Sequence, residues 1–119
     1  MDASLWDKTS DDGRIQVRFA LSEGRMSHWI ARPRLLIKGQ RRPLLDLWDE
    51  SYWAWDAQAT FPGKSKVNLA FRKYPGSESG FMVVIDVDAK TYQLCGGQLP
   101  EELESAFKTR LREDTSPLI

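Results

Sequence analysis

LLDLWDESYWAWDAQATF, residues 44–61, decides how this chain is read. It holds three of the five tryptophans, Trp48, Trp53 and Trp55, and four acids, Asp46, Asp49, Glu50 and Asp56, with no lysine or arginine. Its second half alternates: Trp53, Trp55, Ala57, Ala59 and Phe61 share one parity, and Asp56, Gln58 and Thr60 share the other. Successive side chains of a strand point to opposite faces, so this parity predicts one buried face and one wet face. Residues 44–48 read as a shorter strand, and Asp49-Glu50-Ser51 as the turn between the two. The segment is therefore expected to supply a central strand pair and the heaviest core residues.

The same period recurs on both sides. Upstream, Ile15, Val17, Phe19 and Leu21 alternate with Arg14, Gln16, Arg18 and Ala20. Trp29, Ala31, Leu35 and Ile37 then oppose Arg32, Arg34 and Lys38, with Pro33 marking an edge, a bulge or a break because it cannot donate to a ladder. Downstream, Val67, Leu69 and Phe71 line one strand. Phe81, Val83, Ile85 and Val87 line the next, and Asp88-Ala89-Lys90-Thr91 turns it into a short strand over 92–95. After Gly96-Gly97 the period changes. Leu99, Leu103, Ala106, Phe107 and Leu111 recur at three to four residues, which predicts one apolar helix stripe. Pro100 near the start, Glu101 and Glu102 in the first turn, and Lys108, Arg110 and Arg112 near the end are helix-terminus signals. The expected fold is α+β: an antiparallel six- or seven-stranded meander, a curved sheet or half-barrel, with one C-terminal amphipathic helix packed on it. Residues 14–113 are expected to form the domain, 1–13 a flexible N-terminal arm ending in Asp11-Asp12-Gly13, and 114–119 a tail.

A chain of 119 residues can bury one core without metal or disulfide staples. Its single cysteine, Cys95, cannot form an internal disulfide, so a reducing cytoplasm is the expected compartment. No apolar run approaches the ~18 residues of a membrane span, and the acidic N-terminus MDASLWDKTSDDG does not read as a targeting peptide. A net charge of zero conceals segregation: −3 over 1–13, +7 over 14–42, −4 over 43–61 and +3 over 62–80. Neighbouring antiparallel strands of opposite sign attract across the ladder, so self-complementarity is the simplest account.

Catalytic constellations fare badly. The one His and the one Cys, His28 and Cys95, carry no flanking nucleophile signature; Cys95 reads as a small buried hydrophobe and His28 as a rim residue. Asp86 and Asp88 share a strand face and could hold a divalent cation, but an acid before a turn more often caps the hairpin. Asp46, Asp49 and Asp56 could cluster, without a histidine to complete a metal site. Gly96-Gly97-Gln98-Leu99-Pro100 lacks the Lys and Ser/Thr of a phosphate loop. No cofactor or metal is expected, and a small enzyme with carboxylate chemistry is the third-ranked reading. A nucleic-acid surface on the Arg-rich strands 14–42, through Arg14, Arg18, Arg32 and Arg34, is the second; the overall pI of about 6.6 weighs against it. Protein recognition ranks first, because Trp, Tyr and Arg dominate interface hot spots. The candidate contact residues are Trp48, Asp49, Glu50, Tyr52, Trp53, Asp56, Arg32 and Arg34.

WDESYWAWD at 48–56, KYPG at 73–76, and VVIDVDAKTYQL at 83–94 leading into LPEEL at 99–103 resemble the small β-rich immunity proteins of bacterial toxin systems. That resemblance implies a single cytoplasmic domain that binds one partner protein, a toxin, and blocks its active site by charge complementarity without catalysis of its own. An exposed edge strand leaves homodimerisation open as a further expectation.

Overall fold

In the computed structural model, which describes residues 4–23, 29–48, 55–73 and 80–114, the chain forms two open sheets and one helix. The first sheet holds β1 (Ser4–Thr9), β2 (Ile15–Glu23), β3 (Trp29–Ile37) and β4 (Leu45–Asp46), in that order and antiparallel throughout. The second holds β5 (Trp55–Gly63), β6 (Lys66–Lys73), β7 (Gly80–Asp86) and β8 (Thr91–Gly96), again antiparallel. β9 (Arg112–Glu113) then adds in parallel beside β8. α1 (Glu101–Arg110) touches β4 and β9, so it lies between an end of each sheet.

The expected single meander is thus two sheets, and the cause lies in residues 44–47. Leu44, Leu45 and Leu47 are all buried, whereas a pleated strand would turn either Leu44 or Leu45 to water. The segment instead drops into the core, tied to β3 through Leu44 N–H to Leu35 O (2.8 Å) and Leu47 N–H to Pro33 O (3.1 Å). Ladder pairing survives only at Leu45 and Asp46. Pro33 fits this place: its carbonyl faces the Leu47 side, so its missing N–H also points where the ladder ends.

The arm expected over residues 1–13 contributes a six-residue strand, β1, paired along β2 from Ser4↔Leu21 to Thr9↔Gln16. The β1–β2 turn is closed by side chains: Ser10 Oγ–H donates to Asp12 Oδ1 (2.7 Å) and accepts from Ile15 N–H (3.0 Å), and Asp12 Oδ1 accepts from Arg14 N–H (3.1 Å). Those bonds hold the Asp12 carboxyl below its ordinary 3.8, the Ser10 hydroxyl contributing most.

The apolar parities are met wherever the side chains are described. Ile15, Val17 and Phe19, then Ala31, Leu35 and Ile37, face the core from the first sheet. Ala57 and Ala59, Val67, Leu69 and Phe71, Phe81, Val83 and Ile85, and Tyr92 face it from the second. Leu103, Phe107 and Leu111 bring one stripe of α1 to the same core. Phe107 sits edge-on to three rings, with centroids 6.0 Å from Phe71, 6.5 Å from Phe81 and 5.4 Å from Tyr92, while Phe71 and Phe81 stack at 4.6 Å. Aromatic pairs in these geometries add about 0.5–1.5 kcal/mol each beyond burial, so this cluster is the main bond between helix and sheet. The β8 end is fixed by backbone crowding. Gly97, at φ +73°, lies where a Cβ would collide with Gly80 O.

Candidate functional site

Four registered positions run straight across the outer face of the first sheet: Asp7↔Arg18, Arg18↔Arg34 and Arg34↔Asp46. An acid thus stands at each end of the row and two arginines in the middle. Arg18 grips Asp7 with two nitrogens, Nε to Oδ1 at 2.9 Å and Nη2 to Oδ2 at 3.3 Å, and Gln16 Nε2 adds a bond to Oδ2 at 3.3 Å. The Asp7 hydrogen bond, then its charge, raises the Arg18 pKa further above its already basic value. At the other end Arg34 Nη2 meets Asp46 Oδ2 at 3.1 Å, while Asp46 Oδ1 accepts from Trp48 N–H at 3.0 Å.

Trp48 completes the group. Its ring lies 3.8 Å from the Arg34 guanidinium carbon, and its Nε1–H donates to Arg18 O at 3.1 Å. The indole is therefore held at both ends, by its own backbone against Asp46 and by its ring nitrogen against β2. A guanidinium over an indole contributes about 0.5–1 kcal/mol at an exposed site, and an exposed ion pair about 0–1. The sum is small beside the buried core, so this face does little to hold the fold together. Arg32, two residues before Arg34 and on the same face, is half-buried with its Nε lacking a hydrogen-bond partner, and the Arg34 Nε is likewise unpartnered. Each buried N–H without an acceptor costs about 1–3 kcal/mol.

Of the eight candidate contact residues, the structure brings Arg34 and Trp48 together and sets Arg32 beside them. Asp49, Glu50, Tyr52 and Trp53 lie outside the described residues, as does His28. Asp56 stands in β5 opposite Arg72, its side chain outside the described set. Asp7, Arg18 and Asp46 belong to the site and were not among those eight; Arg18 entered only the nucleic-acid reading and Asp46 only the acid cluster, while Asp7 was named in neither.

The remaining chemistry-bearing residues serve structure. Asp86 Oδ1 accepts from both Asp88 N–H and Ala89 N–H at 3.0 Å, capping the β7–β8 turn. Asp88 pairs with Arg14, tying the second sheet to the first. Cys95 is half-buried rather than fully buried. The ladder steps from Met82↔Gly96 to Val83↔Leu94, so Cys95 is the extra residue of a β-bulge and leaves the alternation. Among the described residues no three His, Cys, Asp or Glu side chains are grouped as metal ligands would be. A cleft of about 590 Å³ lies between residues 8–12 and 59–64, away from the Arg34–Trp48 group. No described helix is long and apolar enough to cross a membrane. The chain matches no protein-family model, and no curated protein or solved structure matches it at a significant level.

Proposed function

We propose that the chain is a non-catalytic protein-binding domain, most concretely an immunity or inhibitor protein that covers the working surface of one partner. The contact would be the outer face of the first sheet. The observation that carries this reading is the Arg34–Trp48 stack fixed by Asp46, beside Arg32 and its unpartnered Nε. Arg and Trp are the side chains that most often dominate binding energy, and here they are positioned before any partner arrives, which lowers the ordering cost of association. The Arg32 and Arg34 guanidinium groups are donors only, so the partner should present carboxylates or backbone carbonyls to this face. A lone, half-buried thiol suits a reducing, cytoplasmic setting.

The test is affinity capture from the source cells with the intact chain as bait. One protein retained in stoichiometric amount is expected. If no protein is retained above the level of an unrelated bait, the reading fails.

A further inference from the structure

Apart from Arg32, and Arg25, which lies outside the described residues, the cations of the +7 segment fall into two populations. Arg14, Arg18 and Arg34 are spent on Asp88, Asp7 and Asp46. Lys38, Arg41 and Arg42, in the β3–β4 loop, are exposed and have no carboxylate within ion-pair distance among the described residues. That loop is a built turn: Gln40 N–H closes on Ile37 O (3.0 Å), with Gly39 at φ +88° as its third residue, a conformation that favours glycine.

Contacts place these cations next to others that are distant in sequence. Lys38 N–H bonds Arg14 O (2.9 Å), and Arg14 holds Asp88. Two residues on, Lys90 O accepts from Arg112 N–H (3.0 Å). Arg110 Nη1–H then reaches Pro43 O (2.7 Å), one residue from Arg42. The circuit closes on itself around one end of the molecule and passes Lys38, Arg41, Arg42, Lys90, Arg110 and Arg112. Of these six, among the described residues, Arg110 alone commits its guanidinium, to the Pro43 carbonyl from the last residue of α1. The carboxylates on this side are Asp12, bonded by Ser10 and the Arg14 N–H, its neighbour Asp11, Asp86, taken up by its own turn, Asp88, held by Arg14, and Glu113 and Asp114 beyond Arg112.

We propose that this end of the molecule binds the phosphate backbone of a nucleic acid, without reading base sequence. Several exposed cations on separate segments, with the amide of Gln40 beside them, are the kinds of group that contact phosphates. Among the described residues the features of a protein interface core are missing here. Such cores are apolar and aromatic and depleted in lysine, and the exposed large hydrophobic side chain among the described residues, Met82, pairs with Gly96 at the far end of β7. The surface is separate from the Arg34–Trp48 face, so either can fail without the other.

The test uses fluorescence anisotropy of the full chain with labelled single-stranded RNA and duplex DNA across a salt series. Contact with about four phosphates gives a log–log slope near −3 to −4, or roughly a hundredfold loss of affinity between about 50 and 200 mM salt. K38E/R41E/R42E should lower the steepness by about 3, since each cation accounts for about one unit. K90E/R112E should weaken binding as well, and Glu113→Gln should tighten it. Unchanged melting of each variant separates loss of charge from loss of fold. No binding at low salt, binding unaffected by both charge reversals, or equal displacement by polyglutamate would overturn the proposal.

Discussion

On the inner face of the second sheet, Phe71, Phe81 and Tyr92 meet Phe107 of α1 in a packed aromatic group. On the outer face of the first, Asp7, Arg18, Arg34 and Asp46 form a charged row with Trp48 laid across it. Both are built by side chains that meet across neighbouring strands, yet they are worth very different amounts. Burial and ring contacts accumulate where water is excluded. Ion pairs whose side chains keep a quarter to over a third of their exposure, as these do, stay near the zero of the stability scale. The contrast assigns stability to one region and leaves the other free to serve recognition.

That contrast can be broken most directly at Phe107. Phe107→Ala should cost about 3–5 kcal/mol in urea or thermal unfolding; a loss under about 1 kcal/mol would mean that the helix is not the clamp described. Gly97→Ala comes next, at about 2–3 kcal/mol. It forces a side chain into the left-handed region, a cost of about 1–2 kcal/mol, and drives its Cβ onto the Gly80 carbonyl. Equal stability of that variant would refute the close approach of β7 and β8. At the weak end, a double-mutant cycle between Arg34 and Trp48 should return a coupling of only about 0.5–1 kcal/mol. A value several times larger would place the charged face among the stabilising elements.

Acid adds a test with a sign. Hydrogen bonding from Arg14 holds the Asp88 carboxyl below its ordinary 3.8. A depressed folded pKa contributes stability that is whole above the unfolded value and disappears as pH falls through the folded one. Asp88→Asn should therefore be less stable than the parent chain at neutral pH, with the gap narrowing as pH drops below 3.8. A gap that stays constant through that window would show that the Arg14–Asp88 tie does not contribute.

The stretch 44–61 shows how far sequence reasoning reached. Strand parity was legible at Ala57 and Ala59, and equally at Ile15, Val17 and Phe19 or Val67, Leu69 and Phe71, because period two is local and the burial follows it. α1 was legible for the same reason, its stripe at Leu103, Phe107 and Leu111 being local too. The break into two sheets was not, because Leu44 and Leu45 are both apolar and a strand reading simply places one of them outside. The strand β1 was hidden by its polar residues, whose partners lie across a turn. The charged row depends on register: Asp7 and Arg18 are eleven residues apart, and only the pairing of β1 with β2 sets them opposite each other. Cys95 was misplaced because a bulge shifts parity without leaving a mark on composition.

The central claim, that the Arg34–Trp48 face serves recognition and not stability, is tested most directly by Arg32→Ala combined with Arg34→Ala. Urea unfolding and capture of the partner are measured on the same preparation. The account predicts a stability loss below about 2 kcal/mol together with at least a tenfold loss of partner retained, in line with hot-spot truncations of about 2 kcal/mol or more. Undiminished capture, or a stability loss as large as that of Phe107→Ala, would contradict it.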